Sequence, residues 1–112
     1  MNLKTSTGLF GSSTRTTILL ILSLIDESHP TELAGLLGTA VSNVRKAIVS
    51  LEKSGAVAGR AVGRTHRISL DPRFYAASEL KALLEKMALA NSDLVEALGE
   101  MRRRPRRLGK PL

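Results

Sequence analysis

The sequence predicts a mainly α-helical fold that carries one small β-hairpin. Apolar residues recur at helical spacing in most of the chain, glycines separate the segments, and only residues 56–70 alternate in the manner of strands. Aromatic residues make up 3% of the 112 residues while apolar residues make up 43%, so the core must be aliphatic. A chain of this length has room for one domain.

The first half of the chain divides into three predicted helices joined by short turns. Ser12 or Ser13 can cap the first, Pro30 suits the first position of the second, and Gly38 ends that second helix. The three predicted helices cover about residues 12–26, 30–37 and 40–54.

A hairpin and a further helical region follow. Residues 56–60 and 65–70 are strand-like with Gly63 in the turn, and a helix then begins near residue 74 or 76. That helix is either continuous to residue 101 or broken near Asn91. The order of elements is that of a winged helix–turn–helix. The predicted divisions are a flexible lead-in (1–11), a winged helix–turn–helix DNA-binding domain (12–73), a C-terminal helical region for dimerisation (74–101) and a disordered basic tail (102–112).

The positive charge is concentrated in two places. The formal net charge is +7, and residues 102–112 contain six Lys or Arg and no acidic residue. Residues 45–73 hold seven Lys or Arg against two acidic residues, a balance of +5. This separation favours a polyanionic partner.

Three stretches carry a resemblance to a known family. "LFGSSTRTTILLIL", "TELAGLLGTAVSNVRKAIVSLEKSGAV" and "GRTHRISLDPRFY" resemble the ArsR-type winged-helix transcriptional regulators over about residues 9–87. The resemblance implies a helix in the DNA major groove, a hairpin on the backbone or minor groove, and repression as the usual outcome. Metal-sensing relatives use cysteines near the end of the second helix. This chain has no cysteine and only two distant histidines, so we expect no metal and no cofactor.

The helix at 40–54 presents a polar front. Val44, Ile48 and Leu51 recur at helical spacing and attach it to the body, which leaves the opposite face available. The N-terminal residues of a recognition helix reach base edges, where amides suit adenine and cations suit guanine or phosphate. The alternative is a merely solvated helix face. The predicted DNA contacts here are Val41, Ser42, Asn43, Arg45 and Lys46.

Arginines on the hairpin and in the tail extend the predicted interface. Arg60, Arg64 and Arg67 lie on or beside the hairpin tip and suit phosphates, and Arg64 also suits a narrow minor groove. The tail favours polyanions without choosing a sequence. For both groups the alternative is a role in solubility alone. The tail residues concerned are Arg102, Arg103, Arg104, Arg106 and Arg107.

Two patterns favour a homodimer. A heptad seam runs through the last helical region with Asn91 as its polar member, although an amphipathic helix packing on its own domain would look similar. The first helix is apolar almost all round, which favours burial against a second chain. The predicted interface contains Ile18, Leu22, Leu80, Leu84, Met87, Leu94 and Leu98.

Other classes of protein find little support. The longest apolar run, residues 18–22, is far short of the roughly 20 residues that span a bilayer. The start "MNLKTSTG" lacks a signal-peptide layout, so we expect a cytoplasmic protein. No nucleophile–base pair or phosphate loop indicates an enzyme. We expect a dimeric, sequence-specific repressor that binds double-stranded DNA at an inverted repeat. The alternatives are an antitoxin-like or other partner-binding winged helix, and a nonspecific nucleic-acid binder that depends on its tail.

Overall fold

The computed structural model describes residues 9–103, which form five helices and one small antiparallel sheet. The prediction of a mainly α winged helix–turn–helix is confirmed. None of the helices in this range is long and apolar enough to cross a membrane. The elements are α1 (Ser13–Ile25), β1 (Glu27–Ser28), α2 (Pro30–Leu37), α3 (Val41–Ser54), β2 (Val57–Val62), β3 (Thr65–Leu70), α4 (Ala77–Leu89) and α5 (Ser92–Arg103).

Helix α1 is the centre of the core. Its N-cap is Ser12, whose Oγ accepts a hydrogen bond from the Arg15 backbone N–H at 3.1 Å. Every residue of its segment Thr16–Ser23 is buried in the single chain, because α2, α3, α4, β1 and β3 all pack around it. The all-round apolar character of α1 therefore has an explanation within one chain and does not require a second.

The segment before α1 is attached to that helix. The Phe10 backbone N–H donates to Thr16 Oγ1 at 3.1 Å, and Arg15 Nε donates to the Phe10 carbonyl oxygen at 3.1 Å. Arg15 Nη1 also donates to Ser50 Oγ on α3 at 3.0 Å. Residues 1–8 of the predicted lead-in lie outside the described residues.

The sheet has three strands, one more than the hairpin that the sequence predicts. Strand β1 pairs with the edge of β3 that faces away from β2, so β3 is the central strand and the order is β1-β3-β2. Glu27 lies opposite Ser69 and Ser28 lies opposite Ile68. Two residues are too few to show the alternation that marks a strand, which is why the sequence does not reveal β1. Its pairing attaches the hairpin to the end of α1.

The last helical region is broken. Helix α4 ends at Leu89, and Asn91 begins α5 because its Oδ1 accepts a hydrogen bond from the Leu94 backbone N–H at 3.1 Å. A continuous heptad seam is therefore wrong, and the broken alternative is confirmed. Helix α5 continues to Arg103, so the helix ends two residues later than predicted.

Most of the predicted dimer interface lies in the core of the single chain. Five of its seven residues are buried within the single chain, where a second chain cannot reach their side chains without rearrangement. Apolar residues of α4 pack against α1, and α5 packs against α4, so that the buried residues of both helices belong to one core. Leu80 and Met87 are partly buried and keep some exposed surface. The five buried residues are Ile18, Leu22, Leu84, Leu94 and Leu98.

Candidate nucleic-acid interface

A tight turn sets the direction of α3 relative to α2. Gly38 ends α2 in the left-handed region with a φ of 68°, and its N–H donates to the Ala34 carbonyl oxygen at 2.9 Å. The Thr39 N–H donates to the same oxygen at 3.1 Å. Glycine adopts this backbone conformation without the clash that a Cβ atom would introduce. The chain needs only three residues between the two helices.

Helix α3 is anchored along one side and open along the other. Val44, Ile48 and Leu51 are buried, and the small Ala47 completes the side that faces the body. This spacing places all four on a single face, which the sequence predicts for Val44, Ile48 and Leu51. The predicted contact residues Ser42, Asn43, Arg45 and Lys46 are exposed on the other side. Val41 differs from them, since it is half-buried and packs partly against the core.

Thr39 holds the side chain of Asn43. Asn43 Nδ2 donates to Thr39 Oγ1 at 3.0 Å, and both residues lie at the open end of α3. An amide nitrogen carries two hydrogens, so one N–H and the Oδ1 acceptor stay available to a base edge. The sequence indicates Asn43 but gives no reason to select Thr39. This contact would favour a fixed orientation of the amide before DNA arrives.

The N-terminus of α3 is itself suited to an anion. Its N-cap residue, Ala40, has no side chain that could cap the first amides, and its first turn contains no acidic residue. The first N–H groups of a helix lack intrahelical partners, and the helix dipole makes this end positive. A phosphate can therefore meet backbone donors here beside Arg45 and Lys46.

The β2–β3 hairpin is hereafter called the wing. Its tip presents one arginine that has no acidic partner among the described residues. Gly63 turns the chain with a φ of 62°, and the adjacent Arg64 is exposed. In the part of the chain that the structure describes, no ion pair involves Arg64, Arg45 or Lys46. A phosphate or base can therefore reach these three cations without displacing an acidic partner.

Arg60 and Arg67 have a different environment. They lie directly opposite each other on β2 and β3, and both contact Glu27 of β1. Arg60 Nη2 is 2.8 Å from Glu27 Oε2, and Arg67 Nε is 3.4 Å from Glu27 Oε1. The hydrogen bond from Arg60 is the largest of the causes that hold the pKa of Glu27 below its ordinary value. The sequence does not reveal Glu27, because the contacts join residues 33 and 40 positions apart.

The pKa of Glu27 sets the sign of one pH effect. Because the folded state lowers this pKa, the ion pairs contribute stability when the pH is above the ordinary range of a glutamate. The contribution disappears as the pH falls through the lowered folded-state value. Protonation would also release both wing arginines from their carboxylate partner.

The inner face of the wing contacts α3. His66 Nε2 of β3 is 3.6 Å from Glu52 Oε2 of α3, and Gly59 of β2 lies between them. A Cβ atom at Gly59 would clash with His66 Nε2 and Glu52 Oε2. A side chain at Gly59 would therefore require the side chains of His66 and Glu52 to move. In the described range, no group of three His, Asp or Glu side chains is placed to hold a metal.

The tail arginines lie outside the site that the structure describes. Arg102 and Arg103 belong to the end of α5, and the structure does not describe their side chains. Arg104, Arg106 and Arg107 lie outside the described residues. The described interface thus consists of α3, the turn before it, and the wing.

Comparison with known proteins gives structural relatives but no sequence family. No protein-family model matches the chain, and no curated protein does so. Among solved structures, the adhesin competence repressor AdcR of Streptococcus pyogenes is 27% identical, with a TM-score of 0.53 over 75% of this chain. The match covers 65% of the AdcR chain, so this chain spans less than two thirds of that relative.

The zinc-responsive MarR family member ZitR of Lactococcus lactis has the same fold. A substituted apo form is 17% identical with a TM-score of 0.57, covering 85% of this chain and 69% of ZitR. Another ZitR variant, solved in complex with DNA, is 18% identical with a TM-score of 0.55. That match covers 92% of this chain and 82% of ZitR. These structures are of transcriptional regulators and not of enzymes, and they do not single out the ArsR type. The chain has the winged helix–turn–helix fold of such regulators.

Proposed function

We propose that the protein is a sequence-specific regulator of transcription that binds double-stranded DNA. Helix α3 would enter the major groove while the wing contacts the backbone or the adjacent minor groove. The observation that carries the proposal is the exposed polar front of α3, where Asn43, Arg45 and Lys46 stand clear of the chain's own core. A helix buried on one side with this front has the composition of a recognition helix.

The charge of the interface supports the same function. The uncapped end of α3 adds backbone donors to Arg45 and Lys46, and Arg64 extends the positive surface to the wing tip. Phosphate contacts position a protein on the duplex, while base contacts provide specificity. The DNA complex of ZitR shows that a protein of this fold binds DNA, which favours the proposal here.

We further propose that the protein acts as a homodimer and represses by occupying its site. On α4, Leu80, Leu83 and Met87 lie along one face at helical spacing, and each keeps exposed surface. We propose this stripe as the dimer interface because five of the seven predicted interface residues are buried within the single chain. A two-fold pair would place two recognition helices on successive major-groove faces.

We also propose that the protein is of the ArsR type and that it is cytoplasmic. The first rests on the sequence resemblance across residues 9–87, whereas one of the similar solved structures is of a MarR family member. The DNA-binding geometry proposed for α3 and the wing is the same under either family.

Neutralising the front of α3 tests the function. Arg45→Gln with Lys46→Gln should weaken binding to a duplex and make the salt dependence shallower, by about 0.9 logarithmic units per lost phosphate contact. Lys81→Gln with Lys86→Gln on α4 removes the same charge outside the interface and serves as the matched control. Fluorescence anisotropy against salt concentration measures both variants.

Equal binding by the two double variants would contradict the recognition-helix function. Binding to a partner protein without DNA binding would favour the partner-binding alternative. Replacing the tail arginines tests the other alternative, a nonspecific nucleic-acid binder that depends on its tail. A specific regulator should keep its site preference while losing affinity. A tail-dependent binder should lose binding altogether.

A further inference from the structure

We propose that Glu27 is an intramolecular counter-ion of the wing, which occupies Arg60 and Arg67 and thereby limits the wing's binding to DNA of arbitrary sequence. This inference rests on the proposed DNA-binding function and adds to it a residue that determines specificity. Glu27 belongs to the short strand β1 and to neither the recognition helix nor the hairpin.

The register of the sheet places the three side chains together. Arg60 and Arg67 are directly opposed in the β2–β3 ladder, and two like charges in that arrangement repel each other. Glu27 faces Ser69, two residues along β3 from Arg67, so its side chain lies on the same face of the sheet. One carboxylate therefore serves two cations that would otherwise destabilise the strand pairing.

Each oxygen of the Glu27 carboxylate contacts a different arginine. Arg60 contacts Oε2 and Arg67 contacts Oε1, so each oxygen holds one guanidinium group. The Arg60 side chain is 65% exposed and those of Arg67 and Glu27 are 33% and 30% exposed. The cluster is accessible to solvent, and a phosphate oxygen can approach the same donors that the carboxylate uses.

Carboxylate and phosphate compete for the same arginine donors. Both are anions that accept hydrogen bonds from guanidinium groups. In the free protein, Glu27 reduces the net charge of this three-residue cluster from +2 to +1. A phosphate must then displace or share the carboxylate, so contact with the wing is favourable only where α3 already holds the duplex in register. On other DNA sequences, Arg60 and Arg67 stay paired with the Glu27 carboxylate and do not contact phosphate.

Glu27→Gln removes the competing charge and keeps the size of the side chain. Against a random-sequence duplex at low salt, it should bind about two- to fivefold more tightly than the wild type, the effect expected of an exposed ion pair. The slope of the logarithm of the binding constant against the logarithm of the salt concentration should steepen by about 0.9, which corresponds to one additional phosphate contact. A purely structural role for Glu27 would not change this slope.

Glu85→Gln is the matched control, because it makes the same charge change on α4, where Glu85 lies 3.9 Å from Lys81. Its binding should stay within error of the wild type. In a protein that already carries Arg60→Gln, the gain from Glu27→Gln should fall below half. Thermal unfolding followed by circular dichroism confirms that each variant is folded.

The outcomes separate this inference from the proposed function. Equal binding by the Glu27 and Glu85 variants, or weaker binding by the Glu27 variant, would overturn the counter-ion role while the function stands. If the wild type binds no duplex, or binds as well after Arg45 and Lys46 are neutralised, the proposed function fails and this inference fails with it.

Discussion

Two glycines of α2 show how single residues determine the geometry of the site. Gly38 has a φ of 68° and ends the helix. Gly35 lies inside the helix, and beyond the helix's own neighbouring backbone no atom lies within 4 Å of where its Cβ would be. Gly38 is at the turn that aims α3, so its backbone conformation bears directly on the interface. Gly35 has no comparable role that the structure shows.

Alanine at these two positions should have opposite effects. Gly38→Ala should lower the free energy of unfolding by about 1–2 kcal/mol, because an L-residue is strained in the left-handed region. Gly35→Ala should raise it by about 0.5–1 kcal/mol, because alanine is the better helix former. Urea unfolding of the two variants measures both signs. A stabilised Gly38→Ala variant would contradict the assigned turn.

At this scale the sequence predicts what is local and misses what is distant. The exposure of Asn43, Arg45 and Lys46 follows from the spacing of the apolar residues on α3, which one helix determines by itself. The contacts of Glu27 with Arg60 and Arg67 depend on the pairing of β1 with β3, which brings together residues far apart in the chain. No periodicity records such a pairing.

Among the elements, helices α1, α2 and α3 are predicted to within a residue or two at their ends. Their starts and stops have local causes, such as the Ser12 cap and the left-handed Gly38 and Gly55. The structure of the C-terminal region is harder to predict from the sequence. Its seven-residue spacing of apolar residues suits both a coiled coil and two helices that fold onto one core. The cap at Asn91 belongs to the second arrangement.

Two substitutions at Asn91 distinguish a helix cap from a coiled-coil position. Asn91→Ala should lower the free energy of unfolding by about 1 kcal/mol, whereas Asn91→Asp should keep most of the stability, because aspartate also caps a helix. In a coiled-coil seam the order would reverse, since a charge there is costly and alanine is apolar. Chemical unfolding at neutral pH measures both variants. An aspartate variant less stable than the alanine variant would contradict the cap.

In the whole molecule, a single chain covers the apolar surface that the sequence assigns to a partner. The buried segment of α1 and the apolar sides of α4 and α5 form one core. Sequence patterns show that a surface is apolar, but they do not show whether its own chain or another covers it. The exposed surface of the described residues includes the polar front of α3, the wing, and the α4 stripe of Leu83 with the partly exposed Leu80 and Met87. These three surfaces are the ones that the proposed dimer on DNA would use.

Selection from a pool of random duplex oligonucleotides with the purified protein tests the central claim most directly. If α3 reads bases, the recovered sequences should converge on a consensus. If the protein binds as a two-fold dimer, that consensus should be an inverted repeat whose half-site centres lie about 10–10.5 base pairs, or a multiple of this, apart. An asymmetric consensus would contradict the dimer alone. A recovered pool as random as the input would contradict the claim that the exposed front of α3 recognises a DNA sequence.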